Sequence, residues 1–485
     1  MEKGMKVTGH DLIKLGIKTG PGFGELLADA QKLVDHGTIP WCEISEWVKT
    51  QAANRIHSQR TTIPLRDEPL PWSEAITCEP GTPDEANLLE VRQHMTSIMR
   101  NPMVQKGAIM PDACPSGSQL GTVPVGGIIA SKAIHPAFHS ADVHCSLYAS
   151  FWDAASNDTK EIMDAIAAET HFGPGGRDEL TIEPGPLAEK MDMLLSDLAR
   201  TKNPFLEGLL PIAKSHLATQ GDGNHFFFLG LLHGHKTLVT HHGSRGLGAQ
   251  VYKRGQAAAV KHTKSVSPQT PAHQAWLDPD TEGTLYWLAI QYVAQWTQLN
   301  HELLHAMVAR RLGWSLTEDV YMPPIFNGHN FVWERDDGLF YHGKGATPTW
   351  DYRAGLIPLN MGQPILIVRG SRHGQQEFCG FAPHGAGRLQ SRNALLREMG
   401  LYGEEDAAKL QAEVEKQVPG LDVRFWSGVP DISETPIAYK DPNYIVDHIK
   451  RFKLVDILGM IEPLGCIMAG KGREPWLSGR PRPKR

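Results

Sequence analysis

Residues 142–151 read Asp-Val-His-Cys-Ser-Leu-Tyr-Ala-Ser-Phe, and the rest of the chain is interpreted around this stretch. Asp142 and Cys145 stand three residues apart, close to His139 and His144. Apolar residues alternate from position 143 to 151, which predicts that the pair lies within a strand. A carboxylate is a hard oxygen ligand and a thiolate is a soft sulfur ligand, so the pair predicts a site for one or two divalent cations.

Three histidines in segments of small and polar residues supply the further ligands that such a site needs. His225 lies in GDGNHF, His241 in THHGSRGLG and His329 in FNGHNF. Because the chain has 23 histidines, any one of these segments also fits a chance occurrence. Their combination with Asp142 and Cys145 favours a single shared metal site.

Composition sets limits on the kind of protein this is. The chain has 485 residues, of which 41% are hydrophobic, so it can bury a large core. The net charge is −6, and any contact with nucleic acid must therefore come from a local basic patch. The six cysteines lack CxxC pairing and the N-terminus lacks an apolar run, which predicts a cytoplasmic protein. Because no stretch of about 20 apolar residues is present, no membrane partner is expected.

Three regions are expected along the chain. Residues 1–60 form an N-terminal helical accessory element, in which two helical patterns meet at a Gly-Pro-Gly turn and Asp11 is the expected N-cap. The segment fits a packing hairpin; its similarity to a segment near the ends of some tRNA nucleotidyltransferases leaves an RNA-handling role as the alternative. Residues 61–472 form the catalytic domain. Residues 473–485 form a basic tail, expected to be disordered.

A second metal motif, HELLH, lies at residues 301–305. His301 and His305, with Glu302 between them, have the spacing by which two histidines on one helix face bind zinc and a glutamate activates water. The motif predicts a metallohydrolase. The alternative is chance, because the surrounding helical pattern is strongly amphipathic.

The C-terminal third adds HGKGATPTW at residues 342–350, VRGSRHGQQEF at 368–378 and APHGAGRLQSR at 382–392. Together with DVHC, GDGNHF, HHGSRGLG and FNGHNF, these segments resemble the RtcB RNA ligase family in content and order, over roughly residues 86–472. The resemblance implies an α+β fold with a β-sandwich-like core around a dinuclear metal site. It also implies a ligase that joins RNA 3′-phosphate or 2′,3′-cyclic phosphate ends to 5′-hydroxyl ends through a nucleotidyl-histidine, in RNA repair or tRNA splicing.

The resemblance assigns roles to residues by motif. It implies two manganese ions and GTP; ligand softness alone favours zinc, and ATP is an alternative nucleotide. It implies RNA with broken ends as the partner, with an activating protein as an open alternative. The implied roles are metal ligands Asp142, Cys145, His225, His241 and His329; nucleophile His384; nucleotide contacts Asn224, Asn330, Ser371, His384, Tyr439 and Lys471; and RNA or phosphate contacts Asp112, Arg245, Lys344 and Arg388.

Departures from the family pattern bear on specificity. Cys114 stands where the family has histidine, and arginines are missing beside Lys344. Phe228 stands where the family has a glutamate that reads guanine, and Gln376 falls in an altered polar segment. A phenylalanine accepts no hydrogen bond, so relaxed discrimination between GTP and ATP is expected. A divergent nucleotidyltransferase with altered nucleotide or end specificity therefore stands as an alternative to the ligase.

Overall fold

A computed structural model of the chain describes residues 6–17, 23–36, 41–57, 62–117, 119–153, 158–401 and 407–471. The chain divides into two compact units, Met1–Ile63 and Pro64–Arg485. The boundary predicted between residues 60 and 61 stays a prediction, and the basic tail at 473–485 lies outside the described residues. Within the described ranges, no helix combines the length and apolar character needed to cross a bilayer.

The N-terminal unit is helical. Its described helices are α1 (Gly9–Lys14), α2 (Phe23–Asp35) and α3 (Trp41–His57). The N-cap of α1 is Thr8 rather than the predicted Asp11: the Thr8 side chain accepts from the Asp11 backbone N–H, and the Asp11 carboxylate accepts from the Thr8 backbone in a capping box. The Gly-Pro-Gly turn lies outside the described residues.

The second unit combines helices and strands, and its described elements have the following bounds. The α-helices are α4 (Pro83–Ile98), α5 (Thr159–Glu169), α6 (Pro186–Arg200), α7 (Leu210–Ser215), α8 (Arg245–Val266), α9 (Glu282–Arg311), α10 (Arg372–Glu377), α11 (Arg392–Glu398), α12 (Ala407–Gln417) and α13 (Pro442–Arg451). Short 3-10 helices span Pro136–Phe138, Ala272–Gln274, Trp350–Tyr352, Ile432–Glu434 and Pro436–Ala438. The strands are β1 (Ser73–Glu74), β2 (Val104–Cys114), β3 (Val125–Ser131), β4 (Ser146–Trp152), β5 (Phe226–Leu232), β6 (His235–His242), β7 (Val320–Gly328), β8 (Asn330–Glu334), β9 (Phe340–Lys344), β10 (Ala346–Pro348), β11 (Ala354–Pro358), β12 (Ile365–Gly370), β13 (Phe381–Pro383), β14 (Asp422–Phe425) and β15 (Val455–Met468).

The largest described sheet has eight strands in the order β11-β12-β15-β5-β6-β4-β7, with β14 paired to β15 off this path. Its two end strands meet, because the Leu356 N–H on β11 donates to Asn327 Oδ1 on β7 over 2.9 Å. The sheet is therefore a nearly closed barrel. A five-stranded sheet (β1-β2-β3-β9-β8) and the pair β10-β13 complete the β-structure, and the predicted α+β class is confirmed.

A tight hairpin between β5 and β6 sets the position of two predicted ligands. His233 (φ +52°) and Gly234 (φ +91°) both have positive φ, as a two-residue type I′ turn requires. The resulting register pairs Phe226 with His241. His225, one residue before β5, therefore lies beside His241 at the same end of the hairpin.

The strand predicted to include Asp142 begins only at Ser146, and residues 142–145 form a turn instead. His144 has a φ of +56°, which an extended strand does not allow, and the Cys145 N–H donates to the Asp142 carbonyl over 3.2 Å. In a strand, residues three apart point to opposite faces. The turn is what brings the Asp142 and Cys145 side chains to the same place.

The helix α9 carries HELLH, and its two histidines are fully engaged in the core. His301 is hydrogen-bonded to the hydroxyls of Ser146 (Nε2, 3.0 Å) and Thr240 (Nδ1, 2.6 Å). His305 is hydrogen-bonded to Ser150 (Nδ1, 2.6 Å) and again to Thr240 (Nε2, 2.9 Å). Because all four ring nitrogens contact hydroxyls of β4 and β6, the pair does not form the zinc site that the motif predicts.

We expect His305→Ala to lower the free energy of unfolding by about 1–3 kcal/mol, because it removes one hydrogen bond from each of two buried hydroxyls, those of Ser150 and Thr240. Metal content and activity per folded molecule are expected to stay unchanged. Urea denaturation and metal analysis measure the two effects separately. Loss of a bound metal ion in a folded His305→Ala protein would restore the metallohydrolase interpretation.

Candidate metal centre and adjoining histidine

Two groups of metal-type ligands adjoin each other at the end of the β5–β6 hairpin. One group is Cys145, His241 and His329, and the other is Asp142, Cys145 and His225. Within each group, the ligand atoms all lie within 4.8 Å of one another. Cys145 belongs to both groups, so the arrangement fits two cations with a thiolate between them.

The distances between ligand atoms define the cluster. Cys145 Sγ lies 3.2 Å from His241 Nε2 and 3.5 Å from His225 Nε2. His225 Nε2 lies 3.2 Å from Asp142 Oδ2, and His241 Nε2 lies 3.2 Å from His329 Nε2. The carboxylate, thiol and imidazole donors therefore form one continuous series of close contacts, as expected for ligands of two neighbouring ions.

Backbone carbonyls fix the orientation of two of the imidazoles. His225 Nδ1 is 2.7 Å from the Gln220 carbonyl, and His241 Nδ1 is 3.2 Å from the Asn224 carbonyl. Each Nδ1–H donates to a carbonyl, so each Nε2 presents its lone pair to the cluster. Such outer hydrogen bonds select the tautomer of histidine that binds a metal.

Burial controls the protonation of the cluster. It lowers the pKa of His241 to about 3 and that of His329 well below its usual value, so both rings are neutral at physiological pH. Burial, with the Asp142 charge beside it, raises the pKa of the Cys145 thiol well above its usual value. A dication favours the thiolate, so metal binding at Cys145 releases a proton. This donor set fits divalent cations.

His384 lies at the edge of the cluster, directly after β13. Its ring centre is 5.0 Å from that of His329, and its Nδ1 is 2.6 Å from Oδ2 of Asp112 on β2. The His384 backbone N–H donates to the same oxygen over 3.0 Å. The Asp112 carboxylate accepts a hydrogen bond from Nδ1–H, which in the neutral ring places the lone pair on Nε2. A histidine acts as a nucleophile through a ring nitrogen that carries a lone pair.

The loop after His384 packs closely on Asp112. Gly387 has a φ of +74°, and a Cβ built there would lie 2.2 Å from the Asp112 carbonyl oxygen. A larger residue therefore has neither the backbone conformation nor the space. The HGAGR loop and the Asp112 segment are held against each other at this contact.

A cavity of about 170 Å³ opens beside His384. Apolar side chains make up most of its wall, among them Phe228, which is 2% exposed. Its principal lining residues are Cys114, Asn224, Phe226, Phe228, Leu359, Met361, His384, Arg388, Glu434, Tyr439, Cys466 and Met468. A second opening is lined in part by two of the candidate ligands, Asp142 and His225, together with Asn224, Arg392 and Lys471.

Arg388 and Tyr439 come together at one buried carboxylate. Glu434 Oε2 accepts from Arg388 Nη2 over 2.5 Å and from the Tyr439 hydroxyl over 2.6 Å. Arg392 pairs with the other oxygen, Oε1, over 2.5 Å. No sequence motif marks Glu434 or Arg392 as site residues, because they come close to their partners only in the folded structure.

Other predicted contacts are engaged with the protein itself. Lys344 Nζ donates to the Val123 carbonyl over 2.9 Å, and burial lowers its pKa to about 8. Arg245 Nη2 donates to the carbonyls of Gly173 and Gly175 over 2.8 and 3.2 Å. Asn330 Oδ1 accepts from the Gly345 N–H over 2.8 Å.

Ser371 is not brought to the cavity. It is the N-cap of α10, where its hydroxyl accepts from the Gly374 N–H over 2.9 Å and donates to the Leu454 carbonyl over 3.1 Å. Capping of this kind explains a serine at this position without a nucleotide. The geometry therefore gives no support to the nucleotide contact expected of Ser371.

The fold and cluster define an α+β protein with a candidate dinuclear metal centre beside a carboxylate-oriented histidine. A sequence model of the family described as "tRNA-splicing ligase RtcB" matches residues 94–469, which is more than half of the chain. The chain belongs to the RtcB family. The resemblance drawn from its motifs is thereby confirmed.

Several archaeal proteins named tRNA-splicing ligase RtcB are similar to this chain. The protein from Archaeoglobus fulgidus is 29% identical over 300 residues, covering 52% of this chain and 59% of the relative. The protein from Thermococcus kodakarensis is 24% identical over 425 residues, covering 72% and 86%. That from Methanocaldococcus jannaschii is 23% identical, covering 64% and 35%. The chain therefore spans less than two thirds of the length of the first and third of these relatives.

Metal stoichiometry is the direct test of the shared thiolate. We expect the parent to bind two divalent ions per chain, Asp142→Ala to lose one, and Cys145→Ala to lose both, because only Cys145 belongs to both ligand groups. Inductively coupled plasma mass spectrometry after gel filtration gives the counts, and circular dichroism checks the fold. Cys379→Ala is the matched control and should keep both ions. Two tightly bound ions in Cys145→Ala would contradict the assignment.

Proposed function

We propose that this protein is an RNA ligase that joins 3′-phosphate or 2′,3′-cyclic phosphate ends to 5′-hydroxyl ends through a nucleotidyl-histidine. The observation that carries the proposal is the position of His384, oriented by Asp112 and adjoining the ligand His329. Membership of the RtcB family supports it. A protein that only binds metal does not need an oriented imidazole beside its ligands.

The metal centre serves this chemistry through the ligands described above. Divalent ions held there neutralise phosphate charge and polarise the oxygens around a reacting phosphorus. We propose manganese on the strength of the family resemblance, whereas the thiolate and imidazole donors by themselves favour zinc.

The chain's own residues account for the first step. His384 Nε2 attacks the α-phosphorus of a nucleoside triphosphate, a P–N bond forms and the bond to pyrophosphate breaks. Asp112 holds the Nδ1 proton throughout and stabilises the positive charge that develops on the ring. Arg388 lines the cavity wall, where its guanidinium is paired with Glu434 and the Ser433 carbonyl.

Two group transfers then complete the reaction. The nucleotidyl group passes from His384 to the RNA 3′-phosphate oxygen, which restores the imidazole. The 5′-hydroxyl attacks the activated 3′-phosphate, its proton passes to solvent, and the nucleoside monophosphate leaves as the phosphodiester forms. A 2′,3′-cyclic phosphate end enters this sequence after water opens it to a 3′-phosphate. The opening lined by Asp142, His225, Arg392 and Lys471 offers an RNA end access to the candidate metal ligands.

A second candidate is a nucleotidyltransferase with altered nucleotide specificity. The cavity favours it, because Phe228, Leu359, Met361 and Met468 make part of the wall apolar. Guanine carries N–H donors that such a wall leaves unpaired. The metallohydrolase alternative has no such support, since the HELLH ring nitrogens are occupied by hydroxyls.

We expect purified protein incubated with manganese and an α-labelled nucleoside triphosphate to form a covalent adduct on His384. A phosphoramidate is labile to acid and stable to base, so the label should be lost in mild acid and kept in alkali. His384→Ala should form no adduct while keeping its metal ions. His373→Ala, which changes an exposed histidine, is the matched control. An adduct of unchanged yield and stability in His384→Ala would disprove the mechanism.

We expect GTP and ATP to give adduct yields within about tenfold of each other, because Phe228, which stands where the family has a guanine-reading glutamate, offers the base no hydrogen-bond acceptor. Reactions with each of the four nucleotides at equal concentration measure this. A preference for GTP of several hundredfold would show that other groups read the base.

A further inference from the structure

A fully buried lysine lies beneath the Asp112–His384 pair and has no role in the steps above. Lys440 is 1% exposed. Its ammonium Nζ donates to the Ala113 carbonyl over 2.9 Å and to the Pro111 carbonyl over 3.2 Å. These are the carbonyls immediately before and after Asp112. Asp84 Oδ1 lies 3.6 Å from the same nitrogen.

The two carbonyls lie where the strand pairing is interrupted. Between β2 and β3 the register passes from Ile109↔Gly127 directly to Cys114↔Val125. Residues 110–113 therefore bulge out of the β2–β3 ladder. A buried carbonyl that loses its ladder partner needs another donor, and Lys440 supplies donors to two of them.

The backbone of Lys440 contacts the other half of the pair. Its N–H donates to the Gly387 carbonyl over 3.0 Å, inside the HGAGR loop. Arg388 pairs with Tyr439 as an isolated β-bridge, and the Leu389 N–H donates to the Ala438 carbonyl over 3.2 Å. Lys440 thus joins the segment that carries Asp112 to the loop that follows His384.

The position of Asp112 depends on these contacts of Lys440. Asp112 is completely buried, and its Oδ2 accepts from both the ring and the backbone of His384. A shift of the 111–113 backbone moves that oxygen away from His384 Nδ1. The ring would then lose the contact that fixes its tautomer and orientation.

We infer that Lys440 is a positioning residue for nucleotidyl transfer: it holds the bulged segment 111–113 against the HGAGR loop, so that Asp112 keeps His384 ready to attack. The inference rests on the proposed function, because it assumes that His384 is the nucleophile. A role in packing alone does not explain an ammonium group here, since a buried cation is costly and an apolar side chain fills the same space.

The first test compares Lys440→Met with the parent and with Lys450→Met, which changes an exposed lysine on α13. We expect the rate of His384 nucleotidylation at saturating nucleotide to fall about 100-fold in Lys440→Met, as for a reacting group misplaced by about 1 Å. The nucleotide concentration that gives half the maximal rate should stay within about twofold, and the metal content should be unchanged, since neither the cavity wall nor the metal ligands include Lys440. A rate within threefold of the parent would overturn the inference.

A double-mutant cycle with Asp112→Asn separates positioning from general destabilisation. If Lys440 acts through Asp112, the double variant should be no more than about threefold slower than Asp112→Asn alone, because coupled residues are not additive. Losses that multiply would overturn the inference. Should Lys440→Met fail to fold, Lys440→Gln, which keeps an N–H donor, enters the cycle under the same criterion.

The parent protein distinguishes this inference from the proposed function. A parent that forms no acid-labile adduct contradicts the proposed function itself. A parent that forms the adduct, together with a Lys440 variant that forms it equally fast, contradicts only the role of Lys440.

Discussion

The sharing of one cysteine by two ligand groups is the constraint on which the site depends. Cys145 reaches both groups because residues 142–145 form a turn, with His144 at a positive φ, rather than the start of β4. The backbone takes part as well: the His329 N–H donates to the Cys145 carbonyl over 2.8 Å. The same residue therefore positions a ligand through its main chain and offers its own sulfur to two cations.

The site lies where the chain passes between sheets. His329 separates β7 of the barrel from β8 of the five-stranded sheet, and Asp112 and His384 come from β2 and the end of β13. The candidate metal ligands are thus fixed mainly by the barrel, whereas His384 and the Asp112 carboxylate are fixed by the smaller sheets. With this division, Lys440 can act on His384 through segment 111–113 without touching the candidate metal ligands.

Sequence patterns predicted some of this site and not the rest, for physical reasons. The α+β class and the family were predicted, because short glycine-flanked histidine motifs persist as local patterns. The turn at Asp142 was mistaken for a strand, since alternation from Leu147 onward extends by chance to Val143. HELLH was ambiguous, because only the hydroxyls of Ser146, Ser150 and Thr240, far away in sequence, show that its nitrogens are occupied. Lys440 and Ala113 are 327 residues apart, and no local pattern marks such a contact.

Anomalous diffraction from crystals soaked in manganese chloride tests the shared cysteine most directly. The account predicts two peaks at the manganese edge, one among Cys145, His241 and His329 and the other among Asp142, Cys145 and His225, with Cys145 Sγ between them. A single peak that excludes Cys145, or ions bound only elsewhere on the chain, would contradict it.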